Sequence, residues 1–199
     1  MNHMEIKLKN IYVNERLSRE TMEFQATLYI DGHKVGVITN DGQGGATMFR
    51  PRDDRGVALI REAEVWCRRL PPMTSPDVMI NDKAVTVPME LEIYLDNLVT
   101  AWLDEQDRDR FRKKMEKEML TAILFGVPGK TFRLLKYRNP IAAMIRFNKG
   151  VEQLRQDIHK KVMPLLQRNE KILNTNIPVG IIRLLEVPDE KWVEQVRDK

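Results

Sequence analysis

The residues best suited to binding an anion lie in one glycine-rich stretch, Asn40, Asp41, Gly42, Gly44 and Gly45. Successive glycines can turn backbone N–H groups toward a phosphate. A dinucleotide-binding fingerprint needs its glycines directly before a helix, whereas apolar, strand-like residues follow Gly45. Two interpretations therefore stay open: a nucleotide or small-anion site, and a wide turn between strands in which glycine supplies positive φ.

Other catalytic patterns are incomplete. The segment GVPGKT, Gly126 to Thr131, ends like a phosphate-binding loop, but Leu124 stands where that motif needs its first glycine. The three histidines are scattered, and neither serine lies in a nucleophile elbow. We predict no catalytic residue, cofactor or metal site, and the sequence favours a protein without enzymatic activity. Carboxylates from distant positions could still assemble an active site that no motif reveals.

The strongest functional signal is an excess of positive charge between Lys130 and Lys171. The predicted basic face comprises Lys130, Arg133, Lys136, Arg138, Arg146, Lys149, Arg155, Lys160 and Lys161. The aromatic residues Phe132, Tyr137 and Phe147 are interleaved with these cations, a pattern suited to unpaired bases. The alternative is a set of solubilising side chains around an ordinary core.

Composition indicates a globular protein large enough to bury a core. The chain has 199 residues, of which 42% are hydrophobic and 31% charged, with a net charge of +4. Cys67 is the single cysteine, which excludes a disulfide framework and a thiolate zinc cluster. Since no run approaches the roughly 18 apolar residues of a membrane span, we expect a cytoplasmic protein.

In the first part of the chain, alternating apolar residues predict a small antiparallel sheet. Phe24, Ala26, Leu28 and Ile30 alternate with polar residues, and Asp31-Gly32 then predicts a hairpin turn. A helix is predicted from Asp53 or Asp54 to Leu70. The sequence thus predicts a sheet with one packed helix over residues 1–76.

The segment PPMTSP, Pro71 to Pro76, is the predicted boundary to a helix-rich second part, residues 77–199, with two or three further strands. There we expect one long helix or two kinked helices from Pro88, closed by Gly126 and Pro128, and a buried strand over Val179 to Val187. The fold class is α+β, whether the two parts form separate lobes or a single domain.

The segment LYIDGHKVGVITNDGQGG, Leu28 to Gly45, resembles a strand, DG turn, strand and NDGxGG loop of uncharacterised small proteins from bacteriophages and mobile elements. The later segment AILFGVPGKTFRLLKYRNP, Ala122 to Pro140, is similar in arrangement to a lysine-flanked LFR segment of the same group. The resemblance implies an accessory protein acting in a bacterial cytoplasm. Such proteins often bind and block host machinery, including defence systems.

The leading hypothesis is therefore a phage or mobile-element accessory protein that binds a host protein or protein complex, such as a component of a defence system. The first alternative is a nucleic-acid-binding protein that uses the basic face. The second is a nucleotide or small-anion-binding protein that uses the loop from Asn40 to Gly45. No membrane partner is expected, and the oligomeric state stays open.

Overall fold

The structure is a computed structural model that describes residues 3–14, 16–80 and 83–193. It combines α-helices with antiparallel strands, which confirms the predicted α+β class. The chain forms two compact units, Met1–Asp104 and Glu105–Lys199, and their boundary falls inside a long helix. The proline-containing segment at residues 71–76 leads instead into a strand that begins at Met73.

The first unit is built on a four-stranded antiparallel sheet in which the strands follow chain order. Its elements are β1 (Ile6–Val13), β2 (Glu23–Ile30), β3 (His33–Asp41), β4 (Met48–Pro51), helix α1 (Asp54–Cys67), the hairpin of β5 (Met73–Ile80) and β6 (Lys83–Val87), and the first part of α2 (Leu91–Met119).

One face of this sheet is apolar because side chains alternate along each strand. Leu28 and Ile30 of β2 are fully buried, and Ile6 of β1 lies opposite Ile30 across the strand pair. Helix α1 covers this face with Ala63 and Cys67, both buried in the same core. The hairpin turn predicted at Asp31-Gly32 is confirmed, and both residues have positive φ, 46° and 77°.

Helix α1 begins where the sequence predicts. The Asp53 side chain accepts a hydrogen bond from the backbone N–H of Gly56 at 2.8 Å and so caps the first turn. Burial raises the pKa of the Cys67 thiol to about 11, so this cysteine is protonated at neutral pH and acts as a small apolar side chain.

Helix α2 is a single helix of 29 residues rather than two kinked ones. Its first part contributes Leu91, Leu95 and Val99 to the core of the first unit. Its middle is solvated and carries exposed pairs three residues apart, such as Arg108 with Glu105. Among the described residues, no helix has both the length and the apolar character needed to cross a membrane.

The second unit contains a three-stranded antiparallel sheet with β7 at its centre, in the order β8-β7-β9. Its elements after α2 are β7 (Ala122–Val127), β8 (Thr131–Lys136), α3 (Ile141–Met144), α4 (Asn148–Asp157) with a π-helical extension (Ile158–Val162) and a 3₁₀ turn (Met163–Leu165), β9 (Lys171–Ile172), α5 (Val179–Leu184) and a 3₁₀ turn (Asp189–Lys191).

Strand β7 is buried on both faces, with Ile123 in one apolar cluster and Leu124 in another. It turns into β8 through Val127-Pro128-Gly129-Lys130, where the Lys130 N–H donates to the Val127 carbonyl at 3.0 Å. Proline followed by a glycine with a φ of 71° is the pattern of a type II turn. The segment GVPGKT, which resembles the end of a phosphate-binding loop, therefore contains a hairpin turn.

The buried amide of Asn174 extends the pairing of β7 beyond β9. Its Oδ1 accepts from the Leu124 N–H at 2.7 Å, and its Nδ2 donates to the Ala122 carbonyl at 2.9 Å. The Trp192 indole donates to the Asn174 carbonyl at 3.1 Å. One side chain thus replaces a backbone partner for the central strand.

Two sequence-based predictions in this unit were wrong. Residues 122–127 form strand β7 rather than the end of the long helix, and residues 179–184 form helix α5 rather than a buried strand. Both segments are short continuous apolar runs, whose pattern does not distinguish a buried strand from a buried helix. Packing in the folded unit decides their secondary structure. In α5, Ile182 is buried while Val179 and Leu184 are exposed.

Candidate macromolecule-binding surface

The glycine-rich loop between β3 and β4 is organised around the buried side chain of Asn40, which is 4% exposed. Its Oδ1 accepts from the Gly42 N–H and from the Thr21 hydroxyl, both at 2.9 Å. Its Nδ2 donates to the Gly45 carbonyl at 3.1 Å and to Thr47 Oγ1 at 3.3 Å. A single amide therefore ties both ends of the loop together.

The N–H groups that an anion would need donate to oxygens of this chain. The Gln43 N–H donates to Asp41 Oδ1 at 3.0 Å, and the Gly44 N–H donates to Thr21 Oγ1 at 3.2 Å. The Gly42 carbonyl in turn accepts from the N–H groups of residues 19 and 20 at 3.0 and 3.1 Å. This geometry supports the structural-turn interpretation, and anion binding by the loop stays a prediction.

The glycines are favoured by φ at two positions and by space at one of them. Gly42 and Gly44 have φ of 74° and 83°, which disfavour any residue with a Cβ. A Cβ at Gly42 would also lie 2.8 Å from the Leu17 carbonyl, whereas a Cβ at Gly44 would meet only the side chain of Glu20, which can move away. Glycine is thus explained at both positions without a ligand.

Four of the nine predicted basic-face residues are engaged with carboxylates. Arg133 pairs with Glu170 at 2.5 Å, and Lys136 pairs with Glu118 at 3.1 Å. Arg155 bonds to Glu152 and Glu186 at 2.9 and 2.8 Å, and Lys161 pairs with Asp157 at 2.6 Å. Hydrogen bonds from Arg155, and then from Gln156, lower the pKa of Glu152.

Arg133 is a structural residue of the second unit. Its partner Glu170 is only 9% exposed and also accepts from the Gln167 N–H at 2.9 Å. The Arg133 guanidinium lies 4.7 Å from the centre of the Phe125 ring and donates to the Leu165 carbonyl at 3.1 Å. These contacts join β7, β8 and the segment before β9.

The other five cations are exposed and have no ion pair with a described carboxylate. They are Lys130, Arg138, Arg146, Lys149 and Lys160. Lys130 and Arg138 lie beyond opposite ends of β8, a strand about 20 Å long. The predicted face is therefore divided, and Lys130 is separated from the cations that follow β8.

Arg138, Arg146, Phe147 and Lys149 lie close together along the chain, around α3 and the start of α4, and we call them the acid-free surface. Residues 119–151 contain six lysines and arginines and no aspartate or glutamate. The Phe147 side chain is 69% exposed between two of these cations. An exposed aromatic ring flanked by cations without an acid partner is typical of a binding surface.

The backbone that presents this surface is anchored. Ile141 and Met144 of α3 are buried in the core of the second unit, and the Ile141 N–H donates to the Leu120 carbonyl at 2.8 Å. A Cβ at Gly150 would lie 2.2 Å from the Met144 carbonyl, so only glycine allows α4 to start against α3. Phe147 is one of the aromatic residues interleaved with cations in the sequence, but its exposure was not predicted.

The altered pKa of one carboxyl group was not predicted from the sequence. Asp96 is half-buried on α2, and its Oδ1 is enclosed without a hydrogen-bond partner. Burial, and then the charge of Glu92 one turn earlier, raise the pKa of Asp96 to about 6. Glu92 accepts from the Thr47 N–H at 2.6 Å.

In the described residues, no three His, Cys, Asp or Glu side chains are placed to hold a metal ion.

Replacing Asn40 with alanine should lower the free energy of unfolding by about 2–4 kcal/mol, because several buried donors and acceptors lose their partner together. Urea unfolding followed by tryptophan fluorescence measures the effect. Gln43→Ala is the matched control, since this side chain is exposed on the same loop, and it should change stability by less than about 0.5 kcal/mol. Equal effects of the two substitutions would contradict the assigned role of Asn40.

Asp96→Asn should stabilise the protein by about 1–2 kcal/mol at pH 7.5, a range reduced for solvent screening of this half-buried group, and have little effect at pH 4. With its raised pKa, folded Asp96 retains a proton that the unfolded chain has released, so the contribution of Asp96 to stability falls as pH rises from about 4 through 6. Urea unfolding at both pH values tests this. A gain of the same size at pH 4 would show that ionisation of Asp96 is not the cause.

The chain was also compared with known proteins. No protein-family model, curated protein or solved structure matches it. Function is therefore inferred from the chemistry of the protein's own surfaces.

Proposed function

We propose that this protein binds an acidic surface of a partner protein through the acid-free surface. The observation that carries the proposal is the 69% exposed Phe147 side chain, flanked by Arg146 and Lys149 in a stretch with no carboxylate. Arginine and aromatic residues are the side chains that most often dominate binding energy at protein interfaces. Cations at the rim speed association with an acidic partner.

Rigidity supports the same proposal. Because α3 is anchored by Ile141 and Met144, the Phe147 side chain is held on a fixed backbone rather than on a free loop. A partner then orders few additional residues on binding, which lowers the entropic cost of the complex.

An exposed apolar side chain next to α3 favours a protein partner over nucleic acid. Leu120 is 60% exposed, and its carbonyl accepts a hydrogen bond from the Ile141 N–H of α3. Exposed aliphatic groups gain from burial against another protein, but they offer little to a phosphate backbone.

The biological setting follows from the resemblance of Leu28–Gly45 and Ala122–Pro140 to phage and mobile-element proteins. On that basis the partner is a host protein, such as a component of a bacterial defence system, and the site of action is the bacterial cytoplasm. The proposal requires no reaction, cofactor or metal.

A second candidate function is nucleic-acid binding by the same surface. It is favoured by the absence of acids over residues 119–151, since a carboxylate there would repel phosphates. Phe147 would stack on an unpaired base. Binding of this kind weakens steeply with salt, whereas burial of Phe147 and Leu120 against a protein does not.

The experiment is affinity capture from nuclease-treated bacterial lysate with quantitative mass spectrometry. Wild type should retain specific proteins that Arg146→Glu with Lys149→Glu, and separately Phe147→Ala, retain at least tenfold less. Lys113→Glu with Arg168→Glu is a control of equal charge change at exposed positions of the same unit, and it should capture normally.

Three outcomes would contradict the proposal. Capture that the acid-free-surface variants share with wild type would remove this surface from the interface. An equal loss of captured proteins with the control variant would show that the change in net charge alone causes the effect. Capture that disappears on nuclease treatment would favour nucleic acid as the partner.

A further inference from the structure

The sheet of the first unit has a second face, opposite α1, that no part of the proposed function uses. Register across the four strands places its side chains in rows. The first row runs Lys9, Thr27, Val37 and Arg50, and the second runs Tyr12, Gln25, Thr39 and Met48. We call these eight residues the outer sheet face. Each row crosses three strand spacings, a width of about 14 Å.

The outer sheet face is exposed at its edges. Tyr12 on β1 is 64% exposed and Met48 on β4 is 63% exposed, and both belong to the same row. Thr27 in the middle of the face is buried, Thr39 is half-buried, and Gln25 is exposed between the edges. The accessible part of the face therefore has an exposed aromatic ring at one edge, an exposed methionine at the other and polar side chains between them.

Its charge is positive on the side next to the β2–β3 turn. Lys9 lies 4.6 Å from the centre of the Tyr29 ring, while Arg50 and Lys34 are exposed and have no ion pair with a described carboxylate. Lys7, opposite Tyr29, is paired with the Glu5 carboxylate at 2.6 Å. Two further acids, Glu23 and Asp41, lie opposite one another at the other end of the face.

We propose that the outer sheet face binds a single-stranded nucleic acid. The cations Lys9 and Arg50 at opposite ends of one row hold phosphates. In the adjacent row, Tyr12 and Met48 pack on the faces of unpaired bases. Gln25 and Thr39 between them offer hydrogen-bond donors and acceptors to base edges.

Charge and shape favour a single-stranded nucleic acid as the ligand of this face. Phosphates are attracted by lysine and arginine at the edges of a groove or strip, and every base offers a π-face to an exposed aromatic ring. In a duplex the faces of the bases are covered by their neighbours, so Tyr12 gains no stacking contact there. The Asp and Glu side chains of an acidic peptide would satisfy the cations but offer no ring to pack on Tyr12.

This inference does not depend on the protein-binding proposal. The two surfaces lie in different units and share no residue, so either can fail while the other holds. Substitutions in one surface also serve as controls for the other.

The test is fluorescence anisotropy of labelled 20-nucleotide oligo-dT and oligo-U, with a 20-base-pair duplex for comparison, from 50 to 200 mM salt. Wild type should bind both single strands more tightly than the duplex. Lys9→Glu with Arg50→Glu should weaken binding at least tenfold. It should also flatten the slope of log affinity against log salt by about 1.4, since each phosphate contact in a single strand contributes about 0.7.

Substitutions of Tyr12 distinguish the contribution of stacking to affinity from that of charge. Tyr12→Ala should lower affinity at least about fivefold without changing the salt slope, whereas Tyr12→Phe should retain wild-type affinity because it keeps the ring. Tyr12 is exposed, so both variants should fold, and circular dichroism checks this. Arg61→Glu with Arg69→Glu reverses two exposed charges, one on α1 and one just beyond its C-terminal end, and should leave binding unchanged.

Several results would overturn the proposal. They are the absence of single-strand binding at 50 mM salt, a duplex preferred over the single strands, Tyr12→Ala binding as wild type, and equal weakening by the α1 control. Loss of binding through Arg146→Glu with Lys149→Glu alone would also overturn it, because the acid-free surface would then be the nucleic-acid site.

Discussion

Cross-strand register is the constraint on which the structure of the first unit depends. A shift of one residue would move Leu28 and Ile30 from the core to solvent and turn Gln25 and Tyr29 inward. The buried Asn40 amide ties the loop that joins β3 to β4, the strand that carries Met48 and Arg50. The same register therefore creates an apolar face for α1 and an outer face that carries Lys9, Tyr12 and Arg50.

In the second unit, the buried central strand has the corresponding role. Strand β7 is covered on both faces and paired on both edges, partly by the Asn174 side chain. Once β7 is fixed, Ile141 and Met144 anchor α3, and Phe147 is left exposed between Arg146 and Lys149. Cations nearer the core, such as Arg133, are used to hold elements of the unit together. An excess of positive charge in the sequence is thus divided between structural ion pairs and an exposed surface.

Much of the first unit was predictable from local patterns. Alternation in β2, the Asp31-Gly32 turn and the Asp53 cap each depend on a few adjacent residues, and the structure confirms them. The second unit was harder, because Ala122–Val127 and Val179–Leu184 are apolar runs whose form is decided by distant packing. The outer sheet face was not predicted, since Tyr12 and Met48 are brought into one row only by pairing across all four strands. The ion pairs of Arg133 with Glu170 and of Arg155 with Glu186 likewise join residues far apart in sequence.

We assign the protein two binding surfaces of different chemistry, one for single-stranded nucleic acid and one for an acidic protein. Photo-crosslinking of a single-stranded oligonucleotide containing 5-iodouracil, with the attached peptides mapped by mass spectrometry, tests which of the two surfaces binds nucleic acid. We expect crosslinks at Tyr12 on the outer sheet face and none at Phe147. Crosslinks confined to Phe147 and its neighbours, or none at either surface, would contradict this assignment.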